Sequence, residues 1–268
     1  MDLLHHQLWL TDVVNAVFGP IAAAILRAFG REVPHGNVIP DYLAMLLLIT
    51  VVLTIFSLIV RSRLSVEHPG RLQIVLEDFV NGFHSLLDDF VGPKGRRYLP
   101  LVGSMFLLIW LSNLAGLVPG LMAPTSNLNV TLGCALTVWV FYHVEGVKEQ
   151  GLVAYLKHFA VPPGSPVIMA PLMLIIEIIS HLARVMSLSL RLFGNIFGEE
   201  LVILILFTII PFLVPLPMML LGLVTGGLQA FIFVLLSIIY LQGAVAVEHH
   251  DAEHGHDAAH GHRAPAAA

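Results

Sequence analysis

The chain has 268 residues, of which 57% are hydrophobic and 12% charged, with 13 Lys and Arg against 18 Asp and Glu. Soluble domains carry roughly 25% charged residues, so a freestanding water-soluble enzyme is excluded. The net charge of -5, partly owed to the C-terminal tail, gives no reason to expect a nucleic-acid partner. The single cysteine, Cys134, lies in an apolar run, so no disulfide framework exists.

Residues 1–40 read as an external or interfacial segment. The start, Met1-Asp2-Leu3-Leu4-His5-His6, lacks the basic region of a cleavable signal. The stretch 13–29 is weakly apolar, is interrupted by Pro20 and carries Arg27, with Arg31 just beyond. A surface segment is therefore preferred there over a span. Residues 41–247 form one membrane domain. Asp41 opens an apolar run, 42–60, that ends at Arg61 and Arg63 and is the first transmembrane helix.

Residues 71–91 have another character. Leu72, Val75, Leu76, Phe79, Phe83, Leu86 and Leu87 recur at helical spacing, with Glu77, Asp78, His84, Asp88 and Asp89 between them. That period of about 3.6 predicts an amphipathic helix lying on the membrane surface. Residues 99–118 are a second span and 129–143 a short third, joined by a turn at 119–128. The segment 61–97 holds six Lys or Arg and 144–166 holds Lys148 and Lys157, whereas the turn 119–128 holds none. The positive-inside rule puts 61–97 and 144–166 in the cytoplasm, and hence the N-terminus outside.

The stretch 166–210 would reach about 65 Å as one helix, roughly twice the hydrocarbon thickness. It is either two spans or one steeply tilted helix. Only Gly194 and Gly198 offer a turn near its middle, so the single helix is preferred. It pairs with 218–247 across the proline-rich break 211–217 as a long tilted C-terminal hairpin, leaving the C-terminus inside. The fold class is thus an all-α integral membrane protein: about five membrane helices plus an amphipathic surface helix. Residues 248–268 form a disordered cytoplasmic tail whose six scattered histidines do not have the spacing of a metal site. No cofactor is expected.

Polar residues inside the hairpin carry the functional reading. Arg191 lies in mid-membrane, where a charge costs about 3 kcal/mol on insertion scales. At about 100° per residue, Glu177, Arg184, Ser187 and Asn195 share its stripe, His181 and Glu199 lie near its edge, and Glu200 faces the opposite way. Along the axis Glu177 is about 20 Å inward of Arg191 and Glu200 about 13 Å outward. One carboxylate is offered to each side of a cation that does not deprotonate and so blocks proton passage. Two half-paths meeting at a block are useless as a pore. They make sense if a second component carries the ion around it.

At these residues a resemblance becomes definite. The segment Ser187-Leu188-Ser189-Leu190-Arg191-Leu192-Phe193-Gly194-Asn195, then Glu200, then Leu228-Gln229-Ala230-Phe231-Ile232-Phe233, resembles subunit a of F-type ATP synthases. Asn113 and Pro124-Thr125-Ser126-Asn127-Leu128-Asn129-Val130-Thr131 support it, so the likeness covers at least 41–247. The resemblance implies a non-catalytic, proton-translocating stator subunit in a bacterial inner membrane, within an ATP synthase complex. Its partners there are a c-subunit ring and peripheral-stalk b subunits. Arg191 then matches the stator arginine facing the ring carboxylate, with Asn195 and Gln229 the polar residues around it. Glu200 and Asn113 match the outer half-channel and Glu177 the carboxylate of the cytoplasmic one. His143 is assigned to the outer path. Where some members carry a histidine partner for the outer glutamate, this chain has Gly222. The alternative is a self-contained secondary transporter or channel, with a site among Glu177, His181, Arg184 and Arg191. The absence of a visible inverted repeat weighs against it, and flux through the purified chain in liposomes would support it.

Overall fold

The computed structural model describes residues 9–28, 37–66, 69–118, 120–152, 155, 170–209 and 215–245. Seven α-helices and two 3-10 turns run through them, with no strand among the described residues. The expected tail, 248–268, and the break at 210–214 lie outside these residues.

Helix α1 (Trp9–Ala28) is continuous through Pro20, where the sequence suggested an interruption. A proline removes one backbone donor from the ladder, and the apolar turns on either side carry the helix past it. Thr11–Ala28 is long and apolar enough to cross a membrane, so six helices meet that criterion among the described residues, against the five spans expected. The first turns of α1 are tied to the entry of α2 (Asp41–Ser62). Thr11 donates to Asp41 at 2.6 Å, and Asn15 exchanges two hydrogen bonds with the Ile39 backbone at 2.9 and 3.0 Å.

Pro40 caps α2 with an extended backbone, its carbonyl accepting the Leu43 and Ala44 N–H groups. Asp41 at the N-terminus and Arg61 at the C-terminus complement the helix dipole. The hydroxyls of Thr50, Thr54 and Ser57 each donate to the carbonyl four residues back. No bare hydroxyl on this face then meets hydrocarbon.

Helix α3 (Arg71–Val91) has the predicted bounds and buries Phe83 and Leu87. Rings of Phe79 and Phe83 both lie 5.3 Å from Phe106 of α4 (Leu99–Ala115), which packs α3 against α4. Gly92, at φ 86, ends α3 in a conformation that suits glycine. A 3-10 turn (Pro93–Tyr98) then leads into α4. Across that corner Arg96 grips Asp88 through two nitrogens at 3.1 and 2.7 Å. The guanidinium holds the Asp88 carboxyl below its usual range.

Helix α5 (Leu128–Gln150) is capped by the Asn127 side chain, which accepts the Asn129 N–H at 3.0 Å. It runs two turns beyond the expected end at residue 143. The charged residues that read as loop stay helical because they pair: Lys148 with Glu145 at 2.6 Å, and Arg97 with both Glu149 and Glu145. Helix α4 in turn stops at Ala115, short of the expected 118.

Helix α6 (Ala170–Ile209) is one unbroken helix of 40 residues, passing straight through Gly194 and Gly198. The two-span alternative therefore falls; residues 166–169 of the expected range lie outside the described part. Helix α7 (Pro215–Val245) starts three residues earlier than expected, with Pro215 in the first turn, where its missing N–H costs nothing. The core lies between α4, α5, α6 and α7, around Ile109, Leu192, Ala230, Phe233 and Ile238, all fully buried. Gly226 on α7 admits α4 closely: a Cβ there would stand 3.2 Å from the Asn113 Cβ.

Candidate functional site

Helix α6 buries one narrow face, made by His181, Val185, Leu188, Ser189, Leu192 and Ile196. Arg191 stands on the flank of that face and is exposed, as are Ser187 and Asn195. It makes no hydrogen bond or ion pair among the described residues. The surrounding surface is apolar, with Met186, Leu190 and Phe197 also exposed. A guanidinium unpartnered among the described residues is costly wherever such an apolar flank meets hydrocarbon.

The stripe predicted around Arg191 divides into separate groups. At the N-terminal end of α6, Glu177 accepts from His181 Nε2 at 3.0 Å, and His181 Nδ1 lies 2.6 Å from the Tyr142 hydroxyl. Arg184 sits over the Tyr240 ring at 5.5 Å. His143 lies 2.6 Å from the Tyr155 hydroxyl, and its ring is 4.7 Å from that of His181. His143 thus belongs to the Glu177 end, not to the Glu200 end where the outer-path assignment put it; this is a correction. Burial pushes the Tyr155 phenol up to about 12, with Glu177 raising it further and Arg184 opposing. Its proton therefore stays on oxygen at neutral pH. Sequence reading missed Tyr142, Tyr155 and Tyr240. Tyr142 was within reach, because it continues the buried series Val130, Cys134, Val138 at four-residue steps.

The other end of α6 is built around two carboxylates. Glu200 Oε1 accepts the Ala123 N–H at 3.0 Å. Glu199 Oε2 accepts from the Thr225 hydroxyl on α7 at 3.2 Å. Asn113, 5% exposed, donates to the Gly226 carbonyl at 2.9 Å and accepts from Thr125 at 2.7 Å. It ties α4, α7 and the buried 3-10 turn Pro124–Ser126 into one unit. Thr131 and Ser189 meet at 3.1 Å between α5 and α6, which gives the 124–131 motif a packing role on both sides. Two buried polar atoms find no hydrogen-bond partner among the described residues: Gln229 Nε2 and, beside Asn113, Ser112 Oγ.

Along α6, Glu177, His181 and Arg184 lie toward one end, Arg191 lies near the middle, and Glu199 and Glu200 lie toward the other. Nothing in this set is a nucleophile with its base. Among the described residues no cluster of three or more His, Cys, Asp or Glu could hold a metal ion.

Residues 42–242 match the family model described as ATP synthase A chain. The chain is 48% identical over 202 residues to ATP synthase subunit a 1 of Syntrophotalea carbinolica, covering 75% of this chain and 84% of that protein. It is 46% identical over 209 residues to ATP synthase subunit a of Geobacter sulfurreducens, covering 78% and 89%. The matched region runs from the first turn of α2 to the end of α7 and takes in both carboxylate groups and the arginine between them. A multi-pass helical chain with this match belongs to the ATP synthase A chain family, the non-catalytic membrane subunit a of F-type ATP synthases.

Proposed function

We propose that this chain is the proton-translocating stator of its ATP synthase, offering two offset half-channels to a rotating ring of c subunits. Peripheral-stalk b subunits hold it still. Arg191 is the barrier between the half-paths. The observation that carries this reading is the state of Arg191: exposed on an apolar flank of α6 and unpartnered among the described residues, with carboxylates toward either end. A charge so placed needs a counter-charge from elsewhere, and a carboxylate on a passing subunit supplies one.

The steps follow from charge. A ring carboxylate within about 4–6 Å of Arg191 is favoured in its ionised form and releases its proton. Rotating away into hydrocarbon favours the neutral acid, so it is reprotonated from the other half-path before it leaves. Glu200, with Asn113 nearby, serves the outer side; Glu177, with His181, His143 and Arg184, serves the cytoplasmic side. Asn195 and Gln229 flank the transfer point, and Ser187 lies on the same stripe. The membrane potential contributes about 2.3 kcal/mol per charge per 100 mV. The N-terminus stands outside and the C-terminus in the cytoplasm, in the bacterial inner membrane.

The test is proton-driven ATP synthesis in membrane vesicles carrying the assembled complex. Arg191→Ala abolishes coupled synthesis and permits passive leak. Arg191→Lys also fails, since an ammonium deprotonates more readily and lacks the planar fork. Normal coupled synthesis by the Lys variant overturns the barrier mechanism.

A further inference from the structure

The connection that leaves α5 turns back on the helix it has just left. Gly151, at φ 80, ends α5 with its N–H on the Val147 carbonyl, and the Tyr155 N–H returns to the Gly151 carbonyl at 3.0 Å. Left-handed backbone of that kind suits glycine. Tyr155, 8% exposed, lies back along α5 with its ring over Gly146. A Cβ built on Gly146 would stand 2.7 Å from Tyr155 Cε2 and 3.3 Å from the Ala244 carbonyl oxygen of α7. Gln150 donates to that same carbonyl at 2.7 Å. The missing side chain at 146 thus makes a notch between α5 and α7, and the Tyr155 ring fills it.

The hydroxyl at the far end of that ring reaches inward. It lies 2.6 Å from His143 Nδ1, about one turn earlier on α5 than the notch. The His143 ring packs against three others, Trp139 at 4.4 Å, Tyr142 at 4.5 Å and His181 of α6 at 4.7 Å between centroids. His181 in turn touches Glu177 through one nitrogen and Tyr142 through the other, at 3.0 and 2.6 Å. The titratable and charged groups about His143 are therefore Tyr155, Tyr142 of α5, Glu177, His181 and Arg184 of α6, and Tyr240 of α7. Because the phenol keeps its proton, Tyr155 donates to Nδ1 of the neutral imidazole, and the ring's own proton must then sit on the buried Nε2. One hydroxyl sets both the orientation and the tautomer of His143.

We propose that Tyr155 is a positioning residue of the Glu177 half-path: held in the Gly146 notch, it fixes the His143 ring against His181 and so keeps His181 on Glu177 while protons leave that end of α6. The inference rests on the half-channel reading above. Tyr155 itself neither gains nor loses a proton. Without its hydroxyl the His143 ring is free to turn about its last torsion, and His181 loses the fixed neighbour on that side. The effect is confined to the membrane face onto which the Glu177 end opens.

The experiment measures proton-driven ATP synthesis in proteoliposomes, normalised to assembled complex, with the pH of the two sides set separately. Tyr155→Phe keeps the ring and its seat and removes only the hydroxyl. It is expected to lower the rate about five-fold, the rate equivalent of one hydrogen bond. It also shifts the dependence on cytoplasmic-side pH by about half a unit and leaves the dependence on outer-side pH as in wild type. Gly146→Ala changes no polar group and gives the same one-sided shift by displacing the ring. His143→Phe keeps an aromatic ring beside His181 without its nitrogens, and in that background Tyr155→Phe adds nothing. Wild-type rate and profile in Tyr155→Phe overturn the proposal, as does a shift of equal size on both sides, or a Tyr155→Phe loss that persists in full beside His143→Phe. Wild-type behaviour of assembled Gly146→Ala overturns it too; if that variant assembles poorly, Tyr155→Phe decides. Glu177→Gln is measured alongside. Should it lose activity while Tyr155→Phe keeps it, only the role of Tyr155 is wrong. Should it keep activity as well, the Glu177 half-path itself falls.

Discussion

A polar side chain buried between membrane helices persists only if its hydrogen bonds are made by protein, since hydrocarbon offers none. Asn113 meets that condition by bridging the Gly226 carbonyl and the Thr125 hydroxyl. Thr125 is therefore more than packing: it holds the Asn113 acceptor. Thr125→Val leaves the Asn113 oxygen unpaired at a site 5% exposed and is expected to cost on the order of 1 kcal/mol. The cost is read as a lower melting temperature of the detergent-solubilised complex. Thr125→Ser keeps the donor and restores it; equal losses in both variants show that the threonine methyl, not the hydrogen bond, matters. At this scale the sequence was partly legible. The reading of Arg191, Glu200 and Asn113 as proton-path residues came from charge and spacing plus resemblance. The seat of Tyr155 did not, because a glycine notch exists only once it is known which segment lies against which. His143 is the instructive case: loop charges already put residue 143 at the cytoplasmic end, and only the resemblance had moved it outward.

Helix α6 is held by few anchors for its length. Six of its 40 residues are buried, and Leu192 is the one that is 0% exposed. Leu192→Ala opens a cavity at the centre of that contact and is expected to destabilise the solubilised complex by about 2–3 kcal/mol. Leu182→Ala, at a position 63% exposed, changes little. Equal effects in the two would mean that α6 is not anchored through the Leu192 face. The helix itself was legible from its unbroken apolar run, and α3 from its 3.6 periodicity, because both signals are local. The true end of α5 was not. Glu145, Lys148 and Glu149 carry the composition of a loop, and they remain helical only because Arg97, distant in sequence, is there to pair with them.

For the molecule as a whole, the connection of α1 to α2 fixes more than the hydropathy of α1 does. The hydrogen bonds from Thr11 to Asp41 and between Asn15 and Ile39 put the start of α1 at the level of the start of α2. Helix α2 starts at the end opposite the basic segment 61–97, so on the orientation proposed above the first turn of α1 stands outside. At about 1.5 Å per residue α6 is about 60 Å long against about 30 Å of hydrocarbon, so the tilted hairpin proposed for it would have to lean far more steeply than the usual 20° if the whole helix stayed in the membrane. On the proposed orientation the external edge of the molecule is the α1–α2 junction together with the turn after α4. Cysteines placed singly at Asp12, Val118 and Arg63, with buried Cys134 replaced by Ala, test this layout with an impermeant thiol reagent on intact cells. Asp12→Cys and Val118→Cys are labelled directly, and Arg63→Cys only after permeabilisation. If Asp12→Cys instead behaves like Arg63→Cys while Val118→Cys labels from outside, the start of α1 is not beside the start of α2 in the membrane. The chain would then begin in the cytoplasm, with α1 as an ordinary sixth span.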